Sequence, residues 1–317
     1  MNNTTCLKEL RSYNVRTEIG IPSTSKHLIA FFIMSILLAV PTLVLNCIVI
    51  IACFTTSTLR GPSYILLSSF AFTDFMLGLL AEPLLVALTV SDVMHNEQLF
   101  CRLVLPSRQV TISLATASYS SLVAISIDRY LAIRLKMRYK SAVALTRVRI
   151  IVIGLWVFSV CVGFLSTFQV VKALIPAAAV ILVASLVLLI VPYAKSFSAL
   201  RKYCSQIKPE EVLDVDPYAD GASRNHVKRP CFDVSQYERA LVTMVLVFIM
   251  IIVCYIPTVC VFGYISVVGV NRITTVAISY ATLAVNMKSL VNPILYVVRM
   301  REVRDACLAV LRKVYNF

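Results

Sequence analysis

Charge is what this sequence has least of. Only 15% of its 317 residues are Asp, Glu, Lys or Arg, while 59% are hydrophobic and the mean hydropathy is +0.85. A soluble domain carries about 25% charged residues and cannot cover this much apolar surface with fewer. A disordered chain is excluded too, because it needs little apolar content. Eight glycines exclude a collagen-like repeat, and ten cysteines in so long a chain do not make a small disulfide scaffold. Only three histidines are present, His27, His95 and His226, and all fall outside the apolar runs. An intramembrane enzyme would need a nucleophile with His, or paired acids, and no such constellation exists. The chain calls for no cofactor and no metal ligand set. Its solvent is mostly lipid.

The charge that remains is lopsided, with 30 basic against 16 acidic residues and a net charge of +14. In a soluble protein this would suggest a nucleic-acid partner. In a membrane protein it marks basic loops facing an anionic inner leaflet.

A bilayer core takes about 20 apolar residues per helix. Seven runs qualify, at 28–54, 64–90, 103–132, 149–171, 173–194, 240–268 and 273–298. The expected fold is an all-α seven-transmembrane helix bundle with a short amphipathic eighth helix. Residues 1–27 form an N-terminal segment, 28–298 the transmembrane unit and 299–317 the tail. The fourth and fifth runs almost touch, so they form a tight antiparallel hairpin, with Pro176 in the first turn of the fifth. The run from Leu28 is too long for a cleavable signal peptide and should serve as a signal anchor.

Basic residues set the orientation. With the N-terminus outside, the inner segments hold 21 Lys and Arg and the outer segments eight, with Lys288 inside a span. This predicts a multi-pass plasma-membrane protein with an extracellular N-terminus. Asn2 and Asn3 each open an Asn-x-Thr sequon there. The one long polar segment, 195–239, runs from acidic to basic and reads as a flexible cytoplasmic loop. In the tail, Met300, Val303, Cys307, Leu311 and Val314 recur at helical spacing among basic residues. That suits a helix lying on the inner leaflet, with Cys307 either palmitoylated or simply apolar.

Charge inside the bilayer is costly and marks function or pairing. Asp74 sits mid-way along the second run and Lys288 at lipid depth in the seventh. The two can neutralise one another. Lys288, Asn292 and Tyr296 share one face at i, i+4 and i+8, and Ser118 can complete a polar cluster. Such a cluster is either a static ion pair or a switch. Glu82 and Arg108 fall near the outer ends of their runs and either line an outer cavity or pair with each other. Asp128-Arg129-Tyr130 closes the third run. Pro257 and Pro293 interrupt the sixth and seventh helices and kink them.

Taken in order, these residues resemble the class A (rhodopsin-like) G-protein-coupled receptors. Asn46, Asp74, the Asp128-Arg129-Tyr130 triplet, Trp156, Tyr193, Pro257 and Asn292-Pro293-Ile294-Leu295-Tyr296 each match a family motif on successive spans. The resemblance covers residues 28 to about 312. It implies a receptor that passes an extracellular small-molecule or peptide signal to a heterotrimeric G protein. It implies coupling and activation roles for Asp128, Arg129, Tyr130, Tyr193, Asn292, Pro293 and Tyr296. Asn46, Asp74, Ser118, Lys288 and Ser289 would form the internal polar switch, and Tyr255 and Pro257 the hinge. Glu82, Arg108, Thr111, Thr258, Phe262 and Asn286 would line the ligand pocket.

Several residues depart from that pattern. Asp74, Ser118, Ser289 and Asn292 match positions that hold a sodium ion in the family, but Lys288 stands where a small polar residue is usual. We expect its ammonium to replace the ion. Tyr255 replaces the usual Trp, and Tyr237 occupies the place of the acid that normally holds the triplet Arg. Thr111 stands where amine receptors carry Asp, which disfavours a monoamine. Asn286 stands where an opsin carries its retinal Lys, and Lys288 is about 200° around the helix from it. The usual disulfide loop is nearly absent, which leaves a Cys6–Cys101 bridge or a free thiol. The short loop looks most like the melanocortin branch, with adenosine-type receptors as relatives. After Ser289 there is no Ser or Thr, so Ser205, Ser223 and Ser235 of the inner loop are the candidates for phosphorylation. Two other readings compete: a proton- or ion-coupled transporter built on Asp74 and Lys288, and a receptor-like protein that does not signal.

Overall fold

The computed structural model describes residues 24–94, 96–135, 138, 139, 143–165, 194, 195, 198, 234–268 and 272–315. Among these residues every regular element is a helix. Helix α1 spans Thr24–Thr55. A 3-10 turn at Ser57–Leu59 leads to α2, Pro62–Met76, which opens with Pro62 in its first turn. A π-turn at Leu77–Ala81 joins α2 to α3, Glu82–Val93, so the second apolar run is one helix with an internal bulge. Then follow α4, Glu97–Leu135, and α5, Leu145–Leu165. After these come α6, Val234–Val268, α7, Arg272–Arg299, and α8, Arg301–Tyr315.

Five described helices are long and apolar enough to cross a membrane: Ile29–Thr55, Pro62–Ser91, Glu97–Ala132, Leu145–Leu165 and Val276–Arg299. A shorter apolar stretch, Ile252–Ile265, lies within α6. The fifth expected run, 173–194, lies almost wholly outside the described residues, together with Pro176 and Tyr193. Residues 1–23, with Asn2, Asn3 and Cys6, lie outside them, as does nearly all of the inner loop.

The third run begins earlier than its apolar residues suggest. Asn96 accepts a bond from the Leu99 backbone N–H at 3.0 Å, and Glu97 follows in the first turn. A side-chain cap and an acid at the positive end of the helix dipole explain the extra length. The outward faces are apolar, with Ile36, Phe54, Ile150, Ile153 and Phe164 all exposed. In water this would be an aggregating surface, and in a bilayer it is a solvated one.

The most extensive apolar cluster lies at the end where α8 joins. There Val49, Leu67, Phe70, Leu122, Tyr296, Val303 and Cys307 form one cluster. Helix α8 contributes Val303, Ala306 and Cys307 to it, so this part of its apolar face packs on the bundle. Leu308 and Val314 stay exposed.

One glycine is required by close packing. A Cβ on Gly163 of α5 would collide with the Ser113 side chain and sit 2.7 Å from the Gln109 carbonyl oxygen of α4. Only a residue without a side chain lets these two helices approach so closely.

Candidate functional site

Asp74 is fully buried on α2 and Lys288 is 1% exposed on α7. The Lys288 Nζ lies 3.4 Å from Asp74 Oδ1 and donates to Ser118 Oγ of α4 at 2.8 Å. It also sits 5.5 Å from the centre of the Phe70 ring, within cation–π range. Ser289 Oγ donates to Asp74 Oδ1 and Asn292 Nδ2 to Asp74 Oδ2, each at 2.8 Å. Asn46 Nδ2 of α1 donates to the Ser289 carbonyl at 3.2 Å and to the Thr42 carbonyl at 2.9 Å. One connected network therefore joins α1, α2, α4 and α7. The i, i+4 spacing of Lys288 and Asn292 puts ammonium and amide on one face of α7, on either side of the same carboxylate.

This arrangement decides what Asp74 can bind. A buried carboxylate must be neutralised and hydrogen-bonded. Asp74 already holds a tethered cation and two neutral donors. A sodium ion beside it would be placed against the ammonium. The residues present do not fit that ion.

Towards the α8 end, Asp128 Oδ2 accepts from Ser63 Oγ of α2 at 2.7 Å and from Arg129 at 2.9 Å. Its Oδ1 accepts from the Tyr139 hydroxyl at 2.5 Å. Burial, then the Asp128 carboxylate, hold the Tyr139 phenol above its ordinary value, so it stays a donor at physiological pH. Arg129 is thus clamped by its neighbour and is only 12% exposed. Tyr130 is half-buried beside it. Tyr64 donates to Glu302 and ties α2 to α8. Trp156 Nε1 donates to Ser69 Oγ at 3.1 Å. Pro293 and Tyr296 are buried on α7, whereas Pro257 faces outward on α6. Tyr255 is half-buried against the apolar cluster.

The expected ligand residues are not gathered by direct bonds. Thr258 Oγ1 reaches the Ala281 carbonyl at 3.5 Å, linking α6 to α7. Asn286 is buried, Thr111 is exposed, and Phe262 lies on α6. Glu82 and Arg108 do not pair. Arg108 is engaged elsewhere, while both Glu82 carboxylate oxygens are buried without a hydrogen-bond partner. The π-turn is the physical reason that Glu82 is inside. Eight residues of α-helix would place it about 80° around from Asp74. The one-residue π insertion sets the phase back by about 100°, to within about 20° of Asp74. Nothing in the amino-acid pattern of Leu77–Ala81 announced this bulge.

Two cysteines also change their reading. Cys101 is disulfide-bonded, with its partner outside the described residues. Cys307 is 3% exposed and faces the bundle, and burial pushes its thiol up to about 11. A thiol so placed is poorly accessible to an acylating enzyme, which favours the simply apolar reading of Cys307 over the palmitoylated one. A separate 810 Å³ groove opens between α1, α2 and α5, lined by residues that include Arg60, Arg149 and Trp156. It contains none of the expected ligand residues.

Residues 45–175 match the family model described as 7 transmembrane receptor (rhodopsin family). Octopamine receptor 1 of Lymnaea stagnalis is 33% identical over 156 residues, covering 48% of this chain and 24% of the relative. The histamine H2 receptor of Cavia porcellus is 26% identical over 296 residues, covering 86% of this chain and 77% of the relative. The adenosine receptor A2b of Gallus gallus is 32% identical over 135 residues, covering 42% and 38%. The match to the octopamine receptor thus reaches about a quarter of that protein, and the match to the histamine receptor about three quarters.

Proposed function

We propose that this chain, a member of the rhodopsin-like class A receptor family by its match over residues 45–175, carries an extracellular ligand signal to a heterotrimeric G protein. One observation carries the reading: a single buried network joins α1, α2, α4 and α7, and α4 carries the clamped Asp128-Arg129 pair in its last turns. A change in helix packing that disturbs the network would loosen the clamp and free Arg129 for the G protein. This is a shift between two packings, not a new bond. Tyr130, Tyr193, Asn292, Pro293 and Tyr296 would carry the coupling, with Tyr255 and Pro257 as hinge.

The seven-helix arrangement, the membrane-surface role of α8 and the extracellular N-terminus belong to this reading, as do residues 1–27, 28–298 and 299–317 as its three parts. So does a Cys6–Cys101 bridge. Six of the other cysteines are free, and Cys204 and Cys231 would lie on the opposite side of the membrane. In place of a sodium ion, Lys288 supplies the cation. Glycosylation at Asn2 and Asn3 follows the same orientation.

Two of the relatives carry amines in their names. Thr111 cannot neutralise an amine, so a cationic ligand would need another acid. The test is ligand-free. Wild type and Arg129→Ala are expressed at matched surface levels, and basal cyclic AMP is measured beside a panel of other G-protein readouts. Signal from wild type that Arg129→Ala loses is the expected result. Equal signal from both would contradict the reading. A transporter on Asp74 and Lys288 would instead show flux indifferent to Arg129.

A further inference from the structure

We infer that Glu82 is the anchor for an organic cation, best matched by a guanidinium, at the site of the extracellular ligand. The inference rests on the receptor reading and names the chemistry of that ligand.

Glu82 is 3% exposed, yet neither carboxylate oxygen has a hydrogen-bond partner. No other carboxylate among the described residues is buried in that condition. Asp74 takes an ammonium, a hydroxyl and an amide, and Asp128 takes a guanidinium and two hydroxyls. Among the described residues an ionised Glu82 finds no counter-charge, and a protonated one finds no acceptor for its O–H. Both states are incomplete, and buried polar groups in native proteins are rarely left so. The missing piece is a cation with N–H donors. A guanidinium supplies charge and two parallel donors that match two free oxygens.

The position is also right for a ligand. Glu82 opens α3, about 16 Å before the helix ends at Val93. Asp74 lies about 12 Å further in the other direction, near the same helix face. An occupant of Glu82 would therefore sit on the outer side of the buried network. Leu85, one turn beyond Glu82, packs on the cluster of Phe31, Leu38 and Leu283. Cation binding here would thus bear on the contact of α3 with α1 and α7.

The test uses the full chain purified in lipid nanodiscs, with methylguanidinium as probe and methylurea as its neutral match. Two readouts are taken: the thermal midpoint and the infrared carboxyl bands. Methylguanidinium should raise the midpoint of wild type by about 3 °C at ten times its half-saturating concentration. It should also add a carboxylate band, or shift an existing one. Methylurea should do neither. Glu82→Gln should lose both responses, and Glu82→Asp should keep a weaker one. Should Glu82→Gln not fold, the infrared response of wild type with Glu82→Asp decides alone. No Glu82-dependent response, or an equal response to methylurea, overturns the inference. If Arg129-dependent signalling is present while this response is absent, only the cation anchor falls. Signalling indifferent to Arg129 removes the receptor reading whatever methylguanidinium does.

Discussion

Replacing Lys288 by Met is the sharpest perturbation available to the network. Met has nearly the length of Lys and no charge, so the change removes one cation with little loss of volume. It leaves a fully buried Asp74 with two neutral donors, Ser289 and Asn292, and no counter-charge. Breaking a buried pair from one side costs about 3–5 kcal/mol. At about 2–4 °C per kcal/mol the melting midpoint should fall by roughly 6–20 °C. Asp74→Asn alone should cost a similar amount, because the ammonium then keeps only Ser118 as a strong partner. The double variant, with both charges gone, should return to within about 1 kcal/mol of wild type. The cycle therefore predicts strong positive coupling between the two sites. Unfolding can be followed with a thiol-reactive dye, because Cys53, Cys254 and Cys307 are buried and become reactive only on opening, above a background from exposed Cys161 and Cys260. If Lys288→Met stays within about 1 kcal/mol of wild type, or if the two single losses simply add, the pair does not hold the helices together.

Further outcomes follow from the same geometry. Ser63→Ala and Tyr139→Phe each remove one hydrogen bond to the Asp128 carboxylate, worth about 1.5 kcal/mol. Each should raise basal G-protein activation by up to about tenfold, and unchanged basal activity in both would show that the clamp restrains nothing. Gly163→Ala should destabilise by about 1–3 kcal/mol through the collision with Ser113 and Gln109, read as a lower midpoint in the same dye assay. Cys307 should react with maleimide far more slowly than Cys161 and show little acyl exchange in cells; rapid labelling would mean that α8 lifts off the bundle. Replacing sodium by choline should leave wild-type signalling unchanged, whereas Lys288→Asn should acquire a sodium response.

The polar network was legible because intramembrane charges are few and helical spacing fixes which of them share a face. Asp74, Ser118, Lys288 and Asn292 could be brought together from their positions alone. Asn96, which starts α4 early, carried a readable capping signal that the apolar count overlooked. The direction of Glu82 was not legible from spacing. Its inward direction depends on the π-turn at Leu77–Ala81, a one-residue change of phase that ordinary residues can adopt and that no motif marks. Of the two readings open for Glu82 and Arg108, an outer cavity lining and a mutual pair, the pair does not form. Both readings of Cys307 stayed open because amphipathic spacing tells which residues share a face, not whether that face meets lipid or the bundle. The Tyr139 contact with Asp128 joins residues across the end of a helix, where spacing rules give no direction.

A receptor that carries its own buried cation should signal through Arg129 whatever the salt. The most direct measurement is nucleotide exchange on purified heterotrimeric G proteins by the full chain in nanodiscs, run in sodium chloride and in choline chloride. We predict exchange that Arg129→Ala abolishes and that is the same in both salts. Exchange that persists without Arg129, or that sodium suppresses in wild type, would contradict it.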